Sequence, residues 1–401
     1  MLARLVFALI GGFGIIFALS ASAAGQGRDD GIRVTAAVSA FGKTRPVRRA
    51  KRSRKRRQST PERQAKHYGV LGKDDRIYPG PRHNQIVGSV GVLLNREARS
   101  ICTAFCISPD TIVSAAHCVF KVKKKRRLDL AKSRFVLPGR YISETLAGDT
   151  HQEVLNGILA GSRTRHTTIK TFLTDWMIVK LSRPACWDSL PVVVRKAAEI
   201  RKAADEKRLL LAGFHGDRLK GGLLISPGCG VASWNDRKLI TRRLRRSLRG
   251  RESLLLHDCD AYKGASGAPL MISEADGYKV IGVNVGNIVK RQEWRRGNKL
   301  IRRQITGKIN VAALASRFSR QAEWMKSARL VVKKQRIARL QSLLSRAGFK
   351  PGPADGVIGP RTSTAIKAYE RGHNLPQTGQ PSLALFRQLA PGEDDSGAQI
   401  D

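Results

Sequence analysis

Apolar residues fall into three regimes along this chain. The first is a single run over residues 5–19, broken only by glycine at positions 11, 12 and 14. It follows Arg4 and leads into Ala21, Ser22 and Ala23. A charged start, an apolar middle and a small-residue cleavage site predict a secretory signal over residues 1–23. The run is short for a membrane anchor, and no later stretch is long and apolar enough to cross a bilayer. The second regime covers residues 68–318, where short apolar runs such as 86–94, 208–212 and 278–285 alternate with turn residues. That pattern predicts the strands of an all-β domain, with residues 309–324 reading as a helix that closes it. The third regime begins at residue 335. Ile337, Leu340, Leu343 and Leu344 recur at helical spacing, residues 351–359 are turn-rich, and 362–369 and 383–389 read as two further helices. The predicted organisation is a signal (1–23), a basic disordered arm or propeptide (24–67), a β domain (68–320), a linker (321–335), a small three-helix domain (336–391) and an acidic tail (392–401).

Charge changes this picture in two places. Lysine and arginine number 74 against 31 acidic residues, a formal net charge of +43. Such a surface favours polyanionic surroundings, whether nucleic acid, acidic lipid or an anionic cell envelope. Part of the excess sits in residues 48–57, a nearly unbroken basic run that repels itself and buries no core. Further basic clusters lie at 121–127, 242–251 and 291–303. A solvated face is the simpler account of each, and the first follows a candidate catalytic histidine closely enough to rim a cleft. A nucleic-acid-binding role is disfavoured by the export signal, by an aromatic content of 6% and by the lack of a recognisable nucleic-acid motif.

The six cysteines are Cys102, Cys106, Cys118, Cys186, Cys229 and Cys259. An even count behind a secretory signal points to disulfides formed in an oxidising compartment. A competing reading is a zinc site, because Cys102, Cys106, His117 and Cys118 lie close in sequence. The adjacency of His117 and Cys118 makes them awkward tetrahedral partners.

Three short segments carry the chemistry. They are IVSAAHC at 112–118, DWMIVKL at 175–181 and KGASGAPL at 263–270. Each supplies one member of a histidine, aspartate and serine set. A serine hydroxyl becomes a nucleophile when an imidazole removes its proton. The imidazole in turn needs a carboxylate to fix its tautomer and stabilise its charged form. The candidate catalytic residues are His117, Asp175 and Ser266. No cofactor or metal is implied.

On these segments, residues 68–320 resemble a trypsin-like serine protease of chymotrypsin fold. They are most similar to the bacterial glutamyl-endopeptidase branch, which commonly opens with a segment like LGKDDR at 71–76. The resemblance implies a double six-stranded β-barrel, a disulfide between Cys102 and Cys118 locking the histidine loop, and an oxyanion hole made by the N–H groups of Gly264 and Ser266. It pairs Cys259 with Cys229 and leaves Cys106 and Cys186 over; six cysteines allow many connectivities, so that last pairing stays open. Two departures stand out. Ala265 precedes the nucleophile where zymogen-type enzymes carry an aspartate that a newly cut N-terminus would pair with. Tyr262 replaces a cysteine found near the serine in animal enzymes.

The resemblance also offers substrate-binding candidates. Asp260 lies six residues before Ser266, where trypsin-like members place the acid that binds Lys or Arg; the alternative is that it hydrogen-bonds a rearranged loop. Gly286 would leave the pocket open. Asn284 stands where glutamyl endopeptidases carry a histidine, which counts against glutamate preference. The segment 336–391 resembles a three-helix peptidoglycan-binding domain, through Leu340, Gln341, Leu344, Gly348, Asp355, Gly356, Ile358, Gly359, Thr362, Ala365, Ile366 and Tyr369. The combined expectation is a periplasmic or secreted serine endopeptidase. Its partners would be a protein or peptide substrate and peptidoglycan or another anionic envelope polymer. The alternative is a catalytically silent, protease-like envelope-binding protein.

Overall fold

The computed structural model describes residues 69–120, 128–138, 142–163, 168–218 and 222–391. The expected signal and basic arm, the basic run at 121–127 and the acidic tail lie outside the described residues.

The first sheet is built from β1 (Val90–Asn95), β2 (Ser100–Ser108), β3 (Thr111–Ser114), β4 (Ser133–Leu137), β5 (Ile142–Thr145), β6 (Leu159–Ala160) and β7 (Met177–Lys180). Their order is β5-β4-β1-β2-β3-β7-β6, antiparallel throughout. A bridge between Leu146 and Leu181 joins the far side of β5 to β7 and rolls the sheet into a barrel. The second sheet holds β8 (Leu209–Phe214), β9 (Leu223–Ser226), β10 (Val231–Ala232), β11 (Leu254–His257), β12 (Pro269–Glu274), β13 (Gly277–Arg296) and β14 (Lys299–Leu314), in the order β10-β11-β14-β13-β12-β8-β9. This is the chymotrypsin-like pair of antiparallel sheets. Each sheet counts seven strands rather than six, because the two-residue β6 and β10 extend an edge.

Several strands are buried along their whole length instead of alternating. In β8 every residue from Leu209 to Phe214 is buried. Leu210, Ala212 and Phe214 join the core that continues into the first barrel, and Leu209 and Leu211 on the other face pack with Ile200, Ala203 and Ala204 of helix α4 (Ala197–Asp205). A strand covered on both faces reads as a continuous apolar run, which is how residues 208–212 appear in the sequence.

The expected helix at 309–324 divides into two elements. Residues 309–314 complete β14, and the helix is confined to Ser319–Ser327. Val311 and Ala313 are fully buried, and this part of β14 is hydrogen-bonded between β11 and β13. Pairing on both sides overrides the weak helical spacing of a short apolar run.

Behind the barrels, α7 (Lys334–Arg346), α8 (Pro360–Gly372) and α9 (Leu383–Leu389) share a separate core of Ile337, Leu340, Leu344, Ile366, Tyr369 and Phe386. Gln341 is buried among them. Its Nε2 donates to Asp355 Oδ1 and Thr362 Oγ1, and its Oε1 accepts from Gly356 N at 2.9 Å. One amide thereby pins the turn-rich loop to two helices. Gly356 has φ +75°, and a Cβ there would lie 2.4 Å from Lys334 O, so no other residue fits.

Asn156 docks this module on the first barrel. It is fully buried at the end of α3 (His151–Asn156), donates to Val332 O at 3.1 Å and Gly356 O at 3.2 Å, and accepts from Ile358 N at 3.2 Å. Asn156→Ala strands three backbone groups at that interface. It should cost about 2 kcal/mol and speed proteolytic nicking of the 328–333 connection. Denaturant unfolding with limited proteolysis checks this, and wild-type behaviour in both would refute the docking role.

Candidate active site

β3 ends at Ser114, and the chain turns through Ala115 and Ala116 into the short helix α2 (His117–Phe120). β7 pairs with β3 so that Ser114 faces Met177. That register brings Asp175, two residues ahead of Met177, beside His117. Asp175 is buried, and both its oxygens serve the histidine. Oδ1 accepts from the His117 backbone N–H at 2.8 Å, and Oδ2 lies 2.7 Å from Nδ1. A carboxylate at Nδ1 holds the proton there and leaves Nε2 as the acceptor. The backbone bond prevents the ring from drifting away from its orienting group.

Cys118, next to His117, is joined to Cys102 on β2. With these two sulfurs bonded to each other, and Cys106 bonded to Cys186, none is a thiolate ligand, so the zinc reading of Cys102, Cys106, His117 and Cys118 fails on the disulfides themselves. Closing a 16-residue loop stabilises by roughly 3 kcal/mol in the chain-entropy account. The other pairs are Cys229 with Cys259 and Cys106 with Cys186.

Ser266 comes from the second barrel, in the turn that precedes β12, and is half-buried. The turn is pressed onto the first barrel. Thr103 N donates to Ser266 O at 2.8 Å, Thr103 Oγ1 donates to Gly264 O at 2.9 Å, and Ser114 Oγ donates to Thr103 O at 2.7 Å. Gly267 has φ +84°. A Cβ on it would lie 2.2 Å from both Ser114 Oγ and Thr103 O and 2.9 Å from Ala115 N. The residue after the serine therefore touches the backbone two positions before the histidine. Gly264 has φ +105°, and a Cβ there would strike Phe214 O at 2.7 Å. Glycine is required at both positions, which is the physical content of the KGASG pattern.

The other candidates lie around this turn. Asn284 is buried on β13, where its Nδ2 donates to Ala265 O at 2.9 Å and its backbone O accepts from Gly267 N at 2.8 Å. It braces the Ser266 turn from below. Gly286 sits at a register shift in β13 and faces the ring of Phe172, 2.7 Å from where its Cβ would be. Asp260 is buried, with Oδ1 accepting from Leu71 N at 2.6 Å and Oδ2 from Asp75 N at 3.2 Å. Burial, with help from neighbouring Asp75 and Asp74, pushes its carboxyl up to about 6, against the pull of those two backbone N–H groups.

The segment that occupies Asp260 is a strap running from Gly69 to Ile77. Gly69 O accepts from Ala261 N and Asn310 Nδ2, Val70 O accepts from Lys308 Nζ, and Ile77 pairs with Ile225. Arg76 anchors it, with a fully buried guanidinium bonded to both Asp74 and Asp217. Sequence reasoning missed Thr103 and Arg76. A lone threonine in a strand and one arginine among many carry no local signal.

Two further buried histidines flank the site. His215 Nδ1 accepts from Tyr262 N at 3.1 Å, and burial, followed by the charge of Arg76, pushes its pKa down to about 3. His257 is fully buried beside Asn284, and burial pushes it down to about 4 against the opposing pull of the Asn284 side chain. A base with a depressed folded-state pKa contributes stability that is complete above its unfolded value near 6.5 and is lost as pH falls toward the folded value. His257→Met should therefore remove roughly 2 kcal/mol of the stability lost between pH 7 and pH 4.5. Urea unfolding at the two pH values measures this, and an unchanged difference would show that folding does not depress the His257 pKa.

A family model described as trypsin matches residues 79–298, and one described as a putative peptidoglycan binding domain matches residues 333–389. Among solved structures, the chain is similar to one titled "Structure of Glu endopeptidase in complex with MPD", at 14% identity and a TM-score of 0.39, over 64% of this chain and 99% of that one. That score is too low to argue from, and the fold rests on the strand order above. Among curated proteins, the putative OxPP cycle protein OpcA of Nostoc punctiforme (strain ATCC 29133 / PCC 73102) is 39% identical over 51 residues. The match takes in 12% of this chain and only 11% of the length of that relative. The trypsin match spans more than half of the sequence, and with two antiparallel sheets and a buried aspartate on a half-buried histidine beside the serine turn, the chain belongs to the trypsin family and carries a domain of the peptidoglycan-binding type behind it.

Proposed function

We propose that this protein is an exported serine endopeptidase held at the cell wall by its C-terminal module. The observation that carries the catalytic part is the double engagement of His117 by Asp175, at 2.8 and 2.7 Å, next to a turn that presents Ser266. His117 Nε2 takes the proton from Ser266 Oγ as the hydroxyl attacks the scissile carbonyl. The N–H groups of Gly264 and Ser266 stabilise the tetrahedral oxygen, each such donor being worth about 3 kcal/mol. The imidazolium, stabilised by Asp175, gives its proton to the leaving amine. An acyl-enzyme on Ser266 remains, and water activated by the same histidine hydrolyses it.

Asp260 takes the second of its two possible roles in this reading. Its carboxylate is an anchor for the strap, because two main-chain N–H groups already occupy its oxygens. Ala265 leaves no carboxylate for a free N-terminal amine, and the strap supplies an internal tie to the same loop instead. The wall-directed part rests on the 333–389 match, supported by disulfides that suit an oxidising compartment.

Labelling with a fluorophosphonate probe tests the catalytic assignment. Wild type should label and Ser266→Ala should not, and peptidase turnover should fall by about 10⁶ in that variant. Equal labelling of the two proteins, or none of either, rejects the assignment. Asp260→Ala should lower stability and leave the preference at the cleaved residue unchanged. A lost preference for Lys or Arg in that variant would return Asp260 to the pocket.

A further inference from the structure

The second barrel carries an arm that the proteolytic reading does not use. β13 and β14 extend well beyond their neighbours, staying paired out to Arg296 and Lys299, where Gly297 (φ +56°) makes the turn. From residue 291 to residue 306 every described side chain is exposed. At a strand rise near 3.3 Å per residue, the uncovered ribbon extends for roughly 20 Å.

Its chemistry is of two kinds. Residues 290–308 hold eight Lys or Arg against the single acid Glu293. Apolar side chains are interleaved with them near the tip: Trp294 is 37% exposed, Leu300 40% and Ile301 59%. Trp294 lies opposite Arg302, whose guanidinium sits over the indole ring at 5.0 Å. At its base the ribbon meets a second basic segment. Lys290 Nζ donates to Arg237 O at 2.9 Å, and Gly307 packs so tightly on Lys238 O that a Cβ would come within 2.6 Å of it. Residues 237–251 add eight more Lys or Arg and no acid. Two clusters separate in sequence thus form one cationic surface with an apolar tip.

We propose that this ribbon docks the protein on an anionic lipid bilayer. The basic residues face the lipid headgroups, and Trp294, Leu300 and Ile301 enter the interface. A dissolved polyanion rewards only the charge. A membrane surface rewards charge and apolar area together, and it favours tryptophan at the headgroup level. The exposed apolar tip is what separates the two. This surface is independent of Ser266, so failed fluorophosphonate labelling would leave it standing.

Flotation of the full chain with lipid vesicles tests the proposal. The protein should bind vesicles containing phosphatidylglycerol at physiological salt and ignore vesicles of phosphatidylcholine alone. Arg291→Gln with Arg302→Gln should weaken binding about tenfold or more, given a few-fold per surface charge. Trp294→Ser with Ile301→Ser should weaken it comparably. Both variants should keep the wild-type melting temperature, because these side chains are exposed. Comparing variants within one chain cancels any contribution from residues 48–57 and from the C-terminal module. Equal binding by wild type and both variants overturns the proposal. Loss in the charge variant alone, with soluble duplex nucleic acid or polyphosphate stripping the protein from the vesicles, would make the ribbon a general polyanion patch and overturn the membrane assignment.

Discussion

Thr103 is the joint between the two barrels. Its backbone N–H donates to Ser266 O, its hydroxyl donates to Gly264 O and accepts from Phe214 N, and its carbonyl accepts from Ser114 Oγ. The residue is fully buried, so any of these groups left unpaired would carry the full desolvation cost of about 1–3 kcal/mol. The two sheets supply different halves of the site. The first brings the histidine and aspartate on the ends of β3 and β7, and the second brings the serine on the turn before β12. The full set of histidine, aspartate and serine exists only where the two sheets meet. The geometry of the site is therefore a property of this contact, and Gly267, with no Cβ to strike Thr103 O or Ser114 Oγ, lets it close.

The segments that meet at the candidate site were legible because their signal is local. The segments 112–118, 175–181 and 263–270 each carry their signal within a few residues, and each lies where a strand begins or ends. The three-helix module was legible for the same reason: Ile337, Leu340 and Leu344 repeat at helical spacing and share one core. What was not legible depends on distant partners. Residues 309–314 become strand because β11 and β13 flank them. Asp260 engages a segment some 185 residues away in sequence, so no local pattern could distinguish a pocket acid from an anchor. The ribbon at 290–306 read as one charged stretch among several, since its projection from the sheet arises only from how far the pairing runs.

The strap and the Ser266 turn share one support. Gly69 and Val70 bind Ala261, Asn310 and Lys308, while Asp260 ties down Leu71 and Asp75. This arrangement fixes the loop leading to Ser266 through main-chain bonds, with Arg76 and its two carboxylates clamping the outer end. Order in the loop is thus written into the chain upstream of the first barrel. Asn284 adds the matching support from beneath by holding Ala265 O.

The Cys102–Cys118 bond has a mechanical meaning that its stabilising energy does not convey. Cys102 is the immediate neighbour of Thr103, and Cys118 is the immediate neighbour of His117. A covalent link therefore spans the distance between the barrel joint and the histidine with one residue of slack at each end. When the first barrel breathes, the histidine is carried with the surface on which the serine turn rests, rather than swinging away from it. The spacing between His117 and the Ser266 turn then depends on that link as well as on the loop between the two cysteines.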